Sequence, residues 1–278
     1  MSITAKDVNK LRQVTGAGMM DCKKALQETN GDFEAAIDYL RKKGQKVSEK
    51  RSDREATEGV VIAKTSDDHK RGIVIALSCE TDFVAKNADF IEIANKFADE
   101  ALKSMPATLD ELKQKQVDDK AIADHLTDQM GKIGEKIDLS EYERVESEHV
   151  LAYNHLGNKI GVLVAMSKGG SNGEVSQAGR DVAMQIAAMN PVALDKDQVD
   201  SRTVEREIEI AREQIRAEGK PDNLVDKIAE GKLNKFYKER TLLNQDFVKD
   251  PSKTVKKLLE DIDKELKITD FKRVEIGG

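Results

Sequence analysis

The chain has 278 residues, 38% apolar and 35% charged, which is long enough for one to three domains with a buried core. Lys and Arg number 46 against 52 Asp and Glu, a net charge of −6, so the global basic excess of a nucleic-acid binder is missing and no direct nucleic-acid partner is expected. No apolar run approaches the roughly 18 residues of a membrane span, and the first ten residues hold no signal-peptide core, so a cytoplasmic protein with no membrane partner is expected.

Residues 1–44 read as three short helices. Thr4 and Asp7 make a capping-box start, Val8, Leu11 and Val14 follow at helical spacing, and Thr15-Gly16-Ala17-Gly18 ends the run. A second helix turns Cys22, Ala25 and Leu26 inward. A third starts at Asp32, carries Phe33, Ala36, Ile37 and Leu40, and is expected to close at Gly44. Such a module resembles the ubiquitin-associated type in fold, which says nothing by itself about function. The polar stretch 45–57 reads as a linker.

Two β runs then form a hairpin, Val60 to Ile62 and Ile73 to Leu77 around Ser66-Asp67-Asp68-His69, and a helix with Phe90, Ile93, Ala94 and Phe97 on one face follows. The same order recurs from Val150 to Met166, through a glycine-rich turn at Gly169–Gly173, into a helix bearing Val182, Ile186 and Met189. The best local match pairs Gly72 to Leu77 with Gly161 to Met166, an offset of 161 − 72 = 89 residues. That spacing suits two α+β subdomains. Residues 107–137 read as helical. Val204, Ile208, Ala211 and Ile215, a turn at Gly219-Lys220-Pro221-Asp222, then Leu224, Ile228 and Phe236 predict an antiparallel helical hairpin with a narrow seam. A helix over 252–262 and a strand from Phe271 to Ile276 complete the chain.

The expected fold is therefore α+β. It comprises a UBA-like three-helix module (1–44), a linker (45–57), duplicated core subdomains with antiparallel sheets (58–139; 140–200 with 239–278), and an inserted helical hairpin (201–238).

The chemistry-bearing patterns are few. GxxxxGK[ST], GxSxG and HExxH are all absent, and Gly16-Ala17-Gly18 follows a helix rather than the strand a dinucleotide site needs. Cys22 and Cys79 lie 79 − 22 = 57 positions apart and read as reduced, buried thiols, while the four histidines lack metal-ligand spacing. No catalytic residue, metal or cofactor is implied, and a non-enzymatic role is expected. Two apolar constellations remain. In Thr81-Asp82-Phe83-Val84-Ala85-Lys86, residue types alone read Phe83 as a core plug and Asp82 as a helix-entry cap, with an exposed aromatic wedge as the alternative. Met19-Met20 fits equally a core contact or a soft partner surface.

Two strings, Thr15 through Leu26 and Thr81 through Lys86, resemble the signature sequences of the bacterial translation elongation factor Ts family. Further matches are Lys132-Ile133-Gly134-Glu135, Ile160 to Val164, Gln185-Ile186-Ala187-Ala188 and Pro251 to Val255. The resemblance implies guanine-nucleotide exchange on elongation factor Tu. Thr81, Asp82, Phe83 and Val84 would enter its G domain, with Phe83 wedged between helices and the Mg²⁺ site of bound GDP disturbed. Arg12, Met19 and Met20 would dock on another G-domain helix, and the second subdomain would meet the far domain near His155. The resemblance implies the GDP-bound and nucleotide-free factor as partner, and leaves open a homodimer through the hairpin or an assembly of two copies of each protein. Some members of the family carry a further C-terminal helix, a contact expected to be missing here after Gly277-Gly278. Two alternatives from other classes are a peptide-binding adaptor working through residues 1–44, and an RNA binder working through the basic segments 41–54 and 232–240.

Overall fold

The computed structural model describes residues 3–51, 53–155, 157–169 and 173–277. Three helices open the chain: α1 (Ala5–Thr15), α2 (Met19–Glu28) and α3 (Phe33–Arg51). Thr4 and Asp7 form the expected reciprocal capping box, Gly16 ends α1 in the left-handed region, and Asp32 caps α3 through the Ala35 amide at 3.0 Å. The module's core is Val8, Leu11, Cys22, Ala25, Leu26 and Ala36. Val14, expected on the same stripe, is instead 62% exposed.

Helix α3 does not close at Gly44. It continues to Arg51, so half of the expected linker is helix, and Gly44 serves a different purpose. It crosses Gly131 of a later helix, α7 (Ile122–Ile133), so closely that a Cβ on Gly131 would lie 2.8 Å from the Gly44 Cα. Absence of side chains lets the two backbones touch, which docks the module on the body.

The body begins with β1 (Glu58–Thr65) and β2 (Arg71–Cys79), an antiparallel hairpin, then α4 (Asp82–Ala85), α5 (Ala88–Ser104) and α6 (Leu109–Lys113). The 107–137 region is not wholly helical. A small hairpin, β3 (Gln116–Val117) with β4 (Lys120–Ala121), precedes α7. Strand β5 (Ile137–Glu146) pairs with β2 from Cys79↔Ile137 to Arg71↔Glu146, so the first sheet, ordered β1-β2-β5, runs past the expected subdomain boundary at 139/140. The sequence hides this strand because it is an edge: only Ile137, Leu139 and Val145 are buried, and mostly polar and charged residues stand between them.

The second unit repeats the plan with β6 (His149–Asn154), β7 (Ile160–Met166) and α8 (Glu174–Met189). Gly170, Ser171 and Asn172 of the glycine-rich turn lie outside the described residues. The hairpin follows as α9 (Ser201–Ala217) and α10 (Asp222–Arg240), with a seam of Ala211, Ile215, Val225 and Ala229. On the return arm the seam therefore falls on Val225 and Ala229, while Leu224 is exposed. Strands β8 (Asp246–Phe247) and β9 (Asp250–Thr254), helix α11 (Val255–Ile262) and β10 (Ile268–Glu275) close the chain, so the last helix begins at Val255, capped by the Thr254 hydroxyl, and not at Ser252. The second sheet is ordered β10-β7-β6.

The sheets stack face to face. Ile62, Ile73 and Ile75 point toward α5 and α7, Val162 and Val164 toward α8 and α11, and between the sheets Val61, Val74 and Ala76 meet Val150, Leu163 and Ala165. The middle layer is related by the 89-residue offset. A Cβ on Gly72 would meet Val150 and Leu163 at 2.7 and 3.1 Å, and one on Gly161 would meet Val61 and Val74 at 2.6 and 2.8 Å. Each of those four side chains is its counterpart's sequence position plus or minus 89, so the repeat is a structural one. Among the described residues no helix is long and apolar enough to cross a membrane.

Candidate functional site

Strand β2 carries the chain to one end of the first sheet, where the β2–β5 ladder stops at Cys79↔Ile137. The Cys79 thiol, wholly buried, donates to the Thr81 carbonyl at 3.2 Å, and burial followed by the charge of Glu135 pushes it up to about 12. It is an inert structural thiol at neutral pH. Thr81 then caps α4 through the Val84 amide, so the helix-entry cap is Thr81 and not Asp82. Helix α4 has four residues, too few to hold itself. It is fixed by Ala85, which is buried, and by Glu135, whose carboxylate accepts from the Thr81 amide at 3.1 Å and the Thr81 hydroxyl at 2.8 Å.

Phe83 points away from this anchored base and is 84% exposed, which excludes the core-plug reading. A ring left in water on a turn fixed by its neighbours is an unpartnered apolar surface of defined position. Beside it Asp82 accepts from Lys86 at 2.6 Å, and that hydrogen bond holds its carboxyl below the usual range. The pair is solvent-exposed and contributes little to stability. Val84 is half-buried against the body.

Glu80 lies directly behind. It accepts from Arg51 at 2.7 Å, Arg54 at 2.9 Å and the Lys136 amide at 2.6 Å. Burial pushes its carboxyl up, but those three donors outweigh it and bring it from 4.5 down to about 2. The end of α3 is thereby tied to the base of the Phe83 turn. Sequence reasoning did not single out Glu80, Arg51 or Glu135 as site residues, because partners 29 to 56 positions apart carry no local signal. Only the string Lys132 to Glu135 pointed there.

On the module, Met19 and Met20 are 51% and 74% exposed in the first turn of α2. With Ile3, Val8 and Lys23 they line a shallow groove of about 320 Å³. Arg12 is exposed on α1, outside that groove, and Val14 adds a further exposed apolar side chain near the module's seam with α7. His155 is exposed in the β6–β7 turn, its Nδ1 3.0 Å from the Tyr153 hydroxyl. That turn caps the free edge of β1: the Asn154 side chain bonds both backbone groups of Ala63, the Val61 amide donates to Asn158, and Lys159 pairs with Glu58. Glu58 at the start of β1 pairs with Cys79, so the Phe83 turn follows that end of the strand, the His155 turn runs along the strand's free edge, and the Met19–Met20 surface is carried separately on α2. Among the described residues no group of three or more His, Cys, Asp or Glu is placed to hold a metal ion.

Comparison with known proteins identifies the family of the chain. Residues 80–278 match the family model described as Elongation factor TS. Curated proteins named elongation factor Ts are similar over essentially the full length: 53% identical in Cytophaga hutchinsonii, over 99% of both chains, and 52% in Amoebophilus asiaticus, over 100% of both. The corresponding protein of Clostridium perfringens is 44% identical over 99% of this chain and 93% of its own. With the α+β architecture and its antiparallel sheets, these matches establish that the chain belongs to the elongation factor Ts family.

Proposed function

We propose that this chain is a guanine-nucleotide exchange factor for elongation factor Tu, acting by binding alone. Family membership supports the role, and the observation that carries the mechanism is Phe83, a fully formed but unpartnered aromatic side chain on an anchored turn. In this reading Thr81 to Val84 meet the G domain of the GDP-bound partner. Phe83 inserts between its helices, and Asp82, released from Lys86, perturbs the environment of the Mg²⁺ ion that holds GDP. Bound Mg²⁺ is among the largest charges in such a site, so disturbing its shell is an effective lever. Arg12, Met19 and Met20 provide a second contact and the His155 turn a third.

No bond is made or broken on this chain. Exchange is a coupling of two binding equilibria: the factor weakens GDP by the same ratio that GDP weakens the factor. A thousandfold effect needs about 4 kcal/mol of differential binding. Burying one phenyl ring contributes about 1.5–3 kcal/mol, and the remainder falls to the altered metal shell. GDP release from elongation factor Tu, followed with a fluorescent analogue in stopped flow at fixed Mg²⁺, is expected to accelerate by orders of magnitude when the protein is added. An unchanged rate with a folded sample and a cognate partner rejects the proposal.

A further inference from the structure

The last backbone pair of the β2–β5 ladder is Cys79↔Ile137, and beyond it the two chains are joined in another way. Glu135 accepts from the Thr81 amide and hydroxyl, and Glu80 accepts from the Lys136 amide. Each carboxylate thus takes the neighbouring chain's N–H where a backbone carbonyl would otherwise stand, and the two cross. Gly134 ends α7 in the left-handed region and turns Glu135 toward this junction. Phe83 is too exposed to be oriented by packing of its own ring. Its direction is set by the backbone of α4, which has four residues and is capped by the residue that Glu135 holds.

From this geometry we infer that Glu135 is a positioning residue for nucleotide exchange: by gripping Thr81 it fixes α4 and aims Phe83 before the partner arrives. The inference rests on the reading of Phe83 as the partner-contacting side chain. Pre-ordering matters because an aromatic side chain that must be ordered on contact gives back part of its binding free energy as lost entropy. Glu135 need not touch the partner, and it acts through Phe83.

Two measurements on the full chain separate this role from general stabilisation. In amide hydrogen exchange, Glu135→Ala is expected to speed exchange at Ala85 and Lys86, whose amides bond Thr81 and Asp82, about tenfold or more, the scale of one to two hydrogen bonds to a charged acceptor. Ile75 in the centre of the first sheet serves as the internal reference. Glu135→Gln keeps one acceptor oxygen and is expected to fall between wild type and Ala, which also provides a variant less prone to misfold. Unchanged exchange at Ala85 and Lys86, or equal acceleration at Ile75, overturns the inference. In GDP release from elongation factor Tu, Glu135→Ala is expected to lower the acceleration about tenfold in the wild-type background and to have little further effect in a Phe83→Ala background. Additive losses, or no loss in the single variant, also overturn it. Wild-type release by Phe83→Ala alone rejects the reading of Phe83 instead, and the hydrogen-exchange result still decides whether Glu135 orders the turn.

Discussion

At the scale of single residues, the site is built from charged groups that hold backbone. Glu80 joins α3 to the foot of the Phe83 turn through Arg51, Arg54 and the Lys136 amide. Its carboxyl titrates at about 2 in the fold against an ordinary 4.5, so the ionised form is the one the fold favours. The stability it contributes is complete above about pH 4.5 and is lost as the pH falls toward about 2. Glu80→Gln is therefore expected to melt lower than wild type at neutral pH and to converge with it across that acid window. Melting curves recorded against pH test this, and a constant gap between the two proteins down to about pH 2 contradicts it. None of these partnerships was legible in the sequence, where Glu80 and Glu135 are two carboxylates among 52. Phe83, in contrast, stood out as an aromatic at the end of a strand, although residue types alone favoured its burial.

Among the elements, the helices whose caps and stripes are local were readable: the Thr4–Asp7 box, Asp32 at α3 and Gly16 after α1 all act as their residue types predict. Errors arose where a distant partner decided the outcome. Gly44 reads as a helix end until Gly131, 131 − 44 = 87 positions away, is found against it, and the residues of β5, which carry no strand pattern of their own, are recognised as a strand only through their pairing with β2. Two helix-interior glycines test this distinction. A Cβ on Gly231 in α10 would meet nothing within 4 Å, so Gly231→Ala is expected to stabilise by up to about 1 kcal/mol through helix propensity alone. Gly131→Ala gains the same propensity, but its Cβ meets the Gly44 backbone at 2.8 Å, where nothing flexible can yield. Overpacking of that kind costs about 1–3 kcal/mol, so a net loss is expected. Urea denaturation of the two variants should show opposite signs, and a stabilised Gly131→Ala would mean that α3 and α7 are not held in contact.

Over the whole molecule, the duplication legible from one matched string turns out to organise the interior, since Gly72 admits Val150 and Leu163 of the other repeat between the sheets, and Gly161 admits Val61 and Val74. Gly72→Ala and Gly161→Ala should each cost about 1–3 kcal/mol in denaturant unfolding, and near-wild-type stability in either would place that glycine outside the packed layer. The resulting slab sets the Phe83 turn beyond the start of β1 and the His155 turn along that strand's free edge, while the helical module, docked through α3 by Glu80 and Gly44, carries Met19 and Met20 of α2 on a separate surface. That Phe83 and Met20 stand exposed could not be read from their residue types, and only the family strings suggested them as surfaces for a partner. The most direct test of the central claim compares Phe83→Ala with wild type for stopped-flow release of a fluorescent GDP analogue from elongation factor Tu. Because the ring is 84% exposed, melting temperature should be unchanged within about 2 °C for a surface substitution. The acceleration of GDP release is expected to fall at least tenfold, the loss of about 1.4 kcal/mol or more of wedge binding. Wild-type release rates from a normally folded Phe83→Ala protein would contradict the account.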